Sequence, residues 1–472
     1  MKKIVFSNRK LMKIIYYGLL SMLLLFIILN EPLGNMDELW NYSFAKNIHD
    51  GLIPYKDFNL ISTPLSCFIN SLFLFINTSL ITFRITFFIY FLIIIYLLDK
   101  IIDILKTNEF LKYLIIFLIS FILVKSCYLD YNFIQIILML LLITLHLKNI
   151  DYNNLKLNII IPLISGLTII NKQSSGITIA FANIILLLLN KYYFKKNINP
   201  KFILKEIIIT LIPTFIFMCY LLLTNSFNDF YDLAILGLAT FNNKYLSKIF
   251  LYGIIIIYLL ITIEMFVNKK QKELWILFIY SLTSLTFIIP ILDKIHTAYA
   301  IIIPFIIIIC IVDDKLKDIK ININNLYTCV FVPLFIVLII ININSYLIVT
   351  KNNTGIYKHI PTNDNQQKVI KNVNNYVVNM SKEYDVYILD ISATLFNLNI
   401  NKYNKYFDMF MNGNFGINGE KEIYSIIDSD NKIFMINDIS NHWQSPSNII
   451  NYVKEKYHIC GAIDYLTIYC KD

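Results

Sequence analysis

Residues 16–58, YYGLLSMLLLFIILNEPLGNMDELWNYSFAKNIHDGLIPYKDF, join an uncharged apolar run to a segment rich in acidic residues. The apolar run is one of many, and YGIIIIYLLITI at 252–263 is another. The chain is 57% hydrophobic with a mean hydropathy of +0.62. Long uncharged apolar runs predict transmembrane helices, because lipid offers no partners for backbone polar groups and each segment must bond its own. The sequence therefore predicts an α-helical polytopic membrane protein.

The apolar runs predict eleven transmembrane helices within a transmembrane domain of residues 1–350. They lie near residues 11–30, 84–104, 111–126, 132–147, 157–171, 176–190, 207–225, 249–267, 274–292, 297–312 and 326–348. One further apolar run, 64–77, has only 14 residues. A helix of that length does not cross about 30 Å of hydrocarbon. We predict an interfacial or re-entrant helix there, within a first outer loop of residues 31–83 that holds juxtamembrane helices.

Basic residues orient the predicted spans. Five of them lie within the first 13 residues, before and at the start of the first span, which predicts a cytoplasmic N-terminus and an uncleaved anchor. In this arrangement the inner segments hold 21 Lys and Arg and the outer loops hold 8. The net charge of +9 follows this loop pattern and does not indicate nucleic-acid binding. We expect a multi-pass protein of the bacterial cytoplasmic (inner) membrane.

The composition changes after residue 350, where the apolar segments shorten and Asn, Asp, Lys and Tyr dominate. Residues 384–390 and 432–438 are predicted strands, and residues 363–380 form a predicted amphipathic helix. An odd number of spans places this tail, residues 351–472, outside the membrane as a small α/β domain. Within it Cys460 and Cys470 could pair across a hairpin, a question that spacing alone leaves open.

Unusual polar residues cluster at the predicted outer ends of the spans. They are Asp37, Glu38 and Asp57 in the first loop, Arg84 at the second span, Asp130, Lys172, Gln173, Lys294 and His296. A carboxylate there can act as general base on an acceptor hydroxyl or amine. Lys, Arg and His can bind a phosphate and stabilise it as it leaves. The pattern indicates group transfer that depends on a lipid phosphate.

The first outer loop resembles that of the GT-C glycosyltransferases, most closely the bacterial protein O-mannosyltransferase-like and aminoarabinose transferase-like enzymes. The similarity rests on Asp37–Glu38, Ala45, Gly51, Pro54–Tyr55, Asp57–Phe58 and Pro64–Leu65, with Thr63–Pro64 where that family has two prolines. Two further stretches are similar in outline, GLTIINKQSSG at 166–176 and DKIHTAYAIIIP at 293–304. The resemblance covers roughly the first 310 residues in layout, and only the first loop is specific.

The resemblance implies a sugar donor linked to polyprenyl phosphate, an outward-facing site and an inverting one-step transfer. It implies Asp37 as the base and Asp130 as an additional acid. Candidate roles follow for the other residues: Glu38 as a second catalytic acid, Arg84, Lys172 and His296 as phosphate ligands, and Tyr55, Asp57, Asp130, Gln173 and Lys294 as substrate-binding or supporting residues. Glu38 and Asp130 could instead hold Mg²⁺ or Mn²⁺, and the sequence leaves the metal requirement open.

Other interpretations remain open at this point. Asp37 and Glu38 could simply be acids at a helix N-terminus, stabilised by the helix dipole. Lys172 could be a lysine at a helix end whose charged head reaches water. The whole chain could be a transporter of lipid-linked oligosaccharide, or a polysaccharide polymerase or ligase. The favoured function is a hexosyl- or pentosyltransferase with a glycan, lipid or protein acceptor.

Overall fold

The chain folds into a bundle of long helices followed by a smaller part that contains a four-stranded sheet. The computed structural model describes residues 2–237, 248–267, 271–289, 291–316, 323–352, 355–438, 442 and 444–471. The helices of the bundle are α1 Lys2–Leu29, α2 Met36–His49, α3 Leu65–Leu74, α4 Leu80–Leu105, α5 Glu109–Ser126, α6 Tyr131–Lys148, α7 Leu157–Asn171, α8 Gln173–Tyr192, α9 Pro200–Leu223, α10 Phe227–Phe230, α11 Lys248–Val267, α12 Lys272–Ser284, α13 Lys294–Ala300, α14 Ile302–Leu316 and α15 Ile323–Ile348. The fold is that of an α-helical polytopic membrane protein, as the sequence predicts.

Every predicted span coincides with a helix or a helix pair of this bundle. By length and composition, seven described helices can cross a membrane, and the pair α13–α14, bent by 46°, makes an eighth if it is one span. Three predicted spans fall short of this test. They are α5, which carries Glu109, Lys112 and Lys125, and α7 and α12, which have 15 and 13 residues. Eleven crossings and their sidedness stay predictions.

The first outer loop folds into two helices that pack on each other. Helix α3 has 10 residues, about 15 Å at 1.5 Å per residue, and is too short to cross the hydrocarbon. Tyr90 on α4 donates a hydrogen bond to Asn70 on α3 at 3.0 Å, which fixes α3 against the bundle. Phe75 and Ile76, which follow α3, are 71% and 80% exposed. The short helix thus leaves an exposed apolar end, as expected of an interfacial segment.

The part after residue 350 contains one mixed sheet with helices packed around it. Its elements are α16 Asp364–Met380, β1 Asp385–Leu389, α17 Ala393–Asn399, α18 Gly419–Asp428, β2 Lys432–Ile436, α19 Ser447–Lys456, β3 His458–Ile463 and β4 Leu466–Cys470. The strand order is β1-β2-β4-β3; β1 and β2 are parallel and the other pairs are antiparallel. The predicted helix 363–380 and strands 384–390 and 432–438 are confirmed as α16, β1 and β2. The domain boundary at residue 350 stays a prediction.

The apolar core runs without interruption from the bundle into this smaller part. Val373 of α16 and Ile388 of β1 belong to the same buried cluster as Phe91 of α4. A second cluster on the sheet contains Phe434 of β2 and Val453 of α19. The sheet is therefore covered by apolar side chains, and it packs on the bundle at the end where α2 lies.

A disulfide joins Cys460 to Cys470 across the hairpin of β3 and β4, with 5.9 Å between the two Cα atoms. Among the cysteines whose side chains the structure describes, Cys67, Cys127, Cys219 and Cys310 are free and lie in the bundle. Alkylation of the denatured protein is expected to label these four without a reductant. Cys460 and Cys470 should react only after reduction, because a disulfide sulfur is not a nucleophile. Peptide mass spectrometry measures the difference, and equal labelling of Cys460 before and after reduction would contradict the pairing.

Candidate active site

A cavity of about 480 Å³ opens at the end of the bundle that faces the sheet. This volume lies within the usual range of small-molecule sites. Its wall is formed by Asp37, Trp40, Asn41, Ile61, Ser62, Asp130, Tyr131, Asn132, Lys172, Gln173, Ser174, Ile291, Asp293, Ile295, His296, Met409, Met411 and Gln444. Turns that the sequence places on one side of the membrane thus meet in one site.

Asp37 lies in the first turn of α2 and lines the cavity. Its side chain is partly exposed, and none of the described residues donates a hydrogen bond to its carboxylate. Enclosure by protein raises the pKa of Asp37 to about 6, with a further rise from Asp130 and Asp293 and an opposing effect of His296. At neutral pH this carboxylate is therefore largely ionised and free to accept a proton.

Asp130 is held by three donors at the start of α6. One carboxylate oxygen accepts from the backbone N of Phe133 at 2.8 Å and from the hydroxyl of Tyr299 at 2.9 Å. The other accepts from Nδ2 of Asn132 at 2.9 Å. Burial raises the pKa of Asp130 and outweighs the lowering by these hydrogen bonds. Because both oxygens are occupied, Asp130 is suited to orient neighbours rather than to take a proton.

Lys172 contributes a positively charged ammonium group to the cavity. Its Nζ donates to Oδ1 of Asn132 at 2.7 Å and lies 5.3 Å and 5.5 Å from the ring centres of Tyr131 and Phe287. Burial lowers the pKa of Lys172 to about 8, and the charge of Asp130 opposes this shift. A lysine that keeps its charge near neutral pH between two aromatic faces is suited to bind an anionic group.

The turn between α7 and α8 fixes where Lys172 points. Lys172 is extended, with φ −151° and ψ 111°, and its carbonyl accepts from the N of Gly176 at 2.8 Å. A Cβ at Gly176 would lie 2.1 Å from the carbonyl oxygen of Thr168, so only glycine allows the two helices to meet this closely. The GLTIINKQSSG stretch therefore builds a tight turn that presents Lys172 at the cavity.

His296 and Asp293 form a pair at the start of α13. One carboxylate oxygen of Asp293 accepts from both the backbone N and Nδ1 of His296, each at 2.8 Å. Burial alone would raise the pKa of Asp293, but the hydrogen bonds and charge of His296 outweigh it and lower the pKa. With Nδ1 occupied, Nε2 is the nitrogen of His296 that remains for a ligand.

Glu38 and Arg84 lie together behind the cavity wall and do not line it. Nε and Nη2 of Arg84 donate to the two carboxylate oxygens of Glu38, each at 2.7 Å. Arg84 is 1% exposed and Glu38 is 5% exposed, and Nη1 of Arg84 donates to the carbonyl of Glu31. The predicted phosphate ligand and the predicted second acid thus bind each other, and they join α2 to α4.

Tyr55 and Asp57 also lie outside the cavity wall. The fully buried hydroxyl of Tyr55 donates to the carbonyl of Ser62 at 2.8 Å. Asp57 closes a turn by accepting from the backbone N of Ile53 at 2.7 Å. Both side chains stabilise the path of the first loop, which carries Ile61 and Ser62 into the cavity.

Gln173 lines the cavity, whereas Lys294 does not. The amide of Gln173 donates to the carbonyls of Ile61 and Ala234 at 2.9 Å, which joins α8 to the first loop and to the segment after α10. Lys294 is exposed, and its Nζ donates to the carbonyl of Lys125 at 3.1 Å. Gln173 therefore shapes the wall, while Lys294 stays at the rim.

The proposed divalent cation does not fit the side chains present. Both oxygens of Glu38 bind Arg84, and both oxygens of Asp130 accept from protein donors. In the described part of the chain, no group of three or more His, Cys, Asp or Glu side chains is arranged to hold a metal ion.

Several cavity residues were not predicted from the sequence, among them Trp40, Asn41, Met409, Met411 and Gln444. A signal existed for the first two, which follow Asp37 by three and four positions and so share its helix face. The other three come from the part of the chain that contains the sheet. No sequence signal connects them to the first outer loop, which lies more than 300 positions earlier.

The sequence matches no protein-family model and no curated protein. Its structure is similar to ArnT from Cupriavidus metallidurans in the apo state, with a TM-score of 0.56, 9% identity and 97% coverage of both chains. It is similar to the same protein bound to undecaprenyl phosphate, with a TM-score of 0.54, 9% identity and the same coverage. An apo oligosaccharyltransferase from Archaeoglobus fulgidus aligns with a TM-score of 0.49 and 11% identity over 83% of this chain and 64% of that one. The likeness to ArnT shows that the chain has the GT-C fold that its first loop predicts.

Proposed function

We propose that this chain is a membrane glycosyltransferase that moves a sugar from a polyprenyl-phosphate donor to an acceptor outside the cytoplasm. The observation that carries the proposal is the cavity, which combines the unpaired carboxylate of Asp37, the ammonium of Lys172 and the imidazole of His296. The shared fold with ArnT, captured with undecaprenyl phosphate, supports a lipid phosphate as the leaving group. The same reaction applies whether the sugar is a hexose or a pentose. It also applies whether the acceptor is a glycan, a lipid or a protein.

Asp37 acts as the general base in this proposal. It takes the proton of the acceptor hydroxyl while the acceptor oxygen attacks the anomeric carbon from the face opposite the phosphate. The bond between the anomeric carbon and the phosphate oxygen breaks in the same step, so the anomeric configuration inverts. A base with a pKa of about 6 is ionised at neutral pH and still basic enough to help, which suits this role.

Lys172 neutralises the phosphate as it leaves. The hydrogen bonds from Asn132 to Asp130 and from Lys172 to Asn132 form a short chain that orients the ammonium. In this arrangement Asp130 is a positioning residue, and His296 offers Nε2 as a second phosphate contact. A positive charge that is already in place before the reaction stabilises the negative charge that develops on the phosphate. The barrier is lowered because the protein does not have to reorganise during the reaction.

In this proposal two residues have roles other than those expected from sequence. Glu38 and Arg84 contact neither the cavity nor, in this proposal, the substrate, because each satisfies the other. We assign them to holding α2, and with it Asp37, against α4. The polyprenyl chain is placed in the bilayer beside the bundle, with the N-terminus inside and residues 351–472 outside.

Mass spectrometry of lipid-linked sugars and surface glycans in a deletion strain tests the proposal. We expect a polyprenyl-phosphate sugar to accumulate and one glycan to lose a residue. Complementation with the intact chain should reverse both changes, and the Asp37→Asn chain should reverse neither. Unchanged lipid-linked sugars and unchanged glycans in the deletion strain would overturn the proposed function.

The rate of transfer is expected to depend on pH with a maximum between about 6 and about 8. Below the pKa of Asp37, about 6, the base is protonated and the rate falls. Above the pKa of Lys172, about 8, the phosphate ligand loses its charge and the rate falls again. Measurement of kcat/KM against pH with purified enzyme reports both groups.

Lys172→Arg is the matched variant for this profile. A guanidinium stays charged across this pH range. The fall in kcat/KM at alkaline pH should therefore shift to higher pH, while the fall at acid pH should stay where it is. An alkaline limb that is unchanged in Lys172→Arg would remove Lys172 from the phosphate role.

A further inference from the structure

A second void lies on the other side of Trp40, between α2 and residues 402–416, a segment after α17 that we call the strap. It measures about 10 Å³, which is close to the space that one water molecule needs. Its lining includes Trp40, Asn47, Asn59, Asn404, Met409 and Asn414. The void is separate from the larger cavity, although both touch Trp40 and Met409.

Four of these residues carry a buried polar atom that has no hydrogen-bond partner among the described residues. The atoms are Nε1 of Trp40, Oδ1 of Asn47, Nδ2 of Asn404 and Oδ1 of Asn414. The side chain of Asn414 is fixed, because its Nδ2 donates to the carbonyl of Met409 at 2.9 Å. Buried polar groups in folded proteins nearly always have a partner, so four of them around one small void require an explanation.

We propose that one internal water molecule occupies this void and bonds to all four atoms. Trp40 and Asn404 offer two N–H donors, and Asn47 and Asn414 offer two carbonyl acceptors. A metal cation would face the two N–H groups, and an anion would face the two carbonyl oxygens. Water accepts two hydrogen bonds and donates two, so it satisfies this set completely.

The water would join two parts of the chain that both shape the larger cavity. Trp40 and Asn47 lie on α2, whose first turn carries Asp37. Asn404 and Asn414 lie on the strap, which contributes Met409 and Met411 to the cavity wall. A direct bond from Nδ2 of Asn59 to the carbonyl of Asn414, at 2.7 Å, holds the strap at one end. The water would link α2 to the strap through hydrogen bonds within the same interface. This inference does not depend on the proposed function.

A density map of the full chain at a resolution that shows ordered water tests the proposal directly. We expect one peak within hydrogen-bond distance, about 2.7–3.2 Å, of at least three of the four atoms. An empty void in a map that shows other buried water would overturn the proposal. Direct hydrogen bonds among the four side chains, in other rotamers, would also overturn the proposal.

A double-mutant cycle on the full chain tests it independently through thermal unfolding in detergent. Trp40→Phe removes one donor and Asn404→Ala removes the other, so each variant should lower the Tm. The double variant should lose clearly less than the sum, because either change already weakens the shared water. Trp275→Phe combined with Asn404→Ala is the control and should be additive, since Trp275 does not line the void. Additive losses in the Trp40–Asn404 cycle would contradict a shared water.

Discussion

Asp37→Asn is expected to lower the rate of sugar transfer by roughly 10²–10⁴-fold, the usual contribution of a general base. Asparagine keeps the shape of the side chain but cannot take the acceptor proton. Binding of the donor should survive, because Lys172 and His296 are untouched. Single-turnover transfer from a polyprenyl-phosphate sugar, measured beside donor binding with purified enzyme, separates the two effects.

The stability of Asp37→Asn should be equal to or above that of the unchanged chain. Enclosure raises the pKa of Asp37 above its value in the unfolded chain, so the ionised form opposes folding at neutral pH. Substitution by a neutral amide removes this opposition. A Tm in detergent that is unchanged or higher would show that the loss of activity in this variant does not come from unfolding.

Asp57→Asn is the matched control from the same loop. The Asp57 side chain closes a turn through the backbone N of Ile53, a contact that an asparagine oxygen can also accept, and it does not line the cavity. Its rate of transfer should remain close to normal. Near-normal turnover by Asp37→Asn would exclude Asp37 as the base and remove the main residue-level support for the proposed function.

Four residues that sequence reasoning predicted for the site line the cavity, and they share one property, a position at a turn. Asp37, Asp130, Lys172 and His296 each lie within two residues of a helix boundary, and all four line the cavity. Hydropathy locates such boundaries, and the distribution of lysines predicts which of them share a side. The spacing of apolar residues likewise predicted α16, β1 and β2 in the part after residue 350.

Where the structure differs from the sequence-based expectations, the difference comes from residues that are distant along the chain. Arg84 looked like a phosphate ligand because it is a cation at the outer end of a span. Its partner Glu38 lies 46 positions earlier, and only the packing of α2 on α4 brings them together. The contribution of Met409 and Met411 depends on how the sheet docks on the bundle. Charge and hydropathy describe one segment at a time and contain no such information.

Glu38→Gln is expected to destabilise the protein strongly while leaving the chemistry to Asp37. The variant leaves the guanidinium of Arg84 buried without a counter-charge, and loss of one partner of a buried ion pair typically costs about 3–5 kcal/mol. We expect a clearly lower Tm in detergent and a lower yield of folded protein. Transfer per folded molecule should fall far less than in Asp37→Asn, because neither Glu38 nor Arg84 lines the cavity.

The double variant Glu38→Leu/Arg84→Met separates an ion pair from a catalytic acid. Replacement of both partners by apolar side chains of similar size removes the unpaired charge, so the double variant should be more stable than Glu38→Gln. Part of the loss should remain, since the carbonyl of Glu31 no longer has its donor. If the double variant is stable and its transfer rate is comparable to that of the unchanged chain, the pair serves to hold α2. A Glu38→Gln protein with unchanged Tm and a rate as low as that of Asp37→Asn would instead assign Glu38 to the reaction itself.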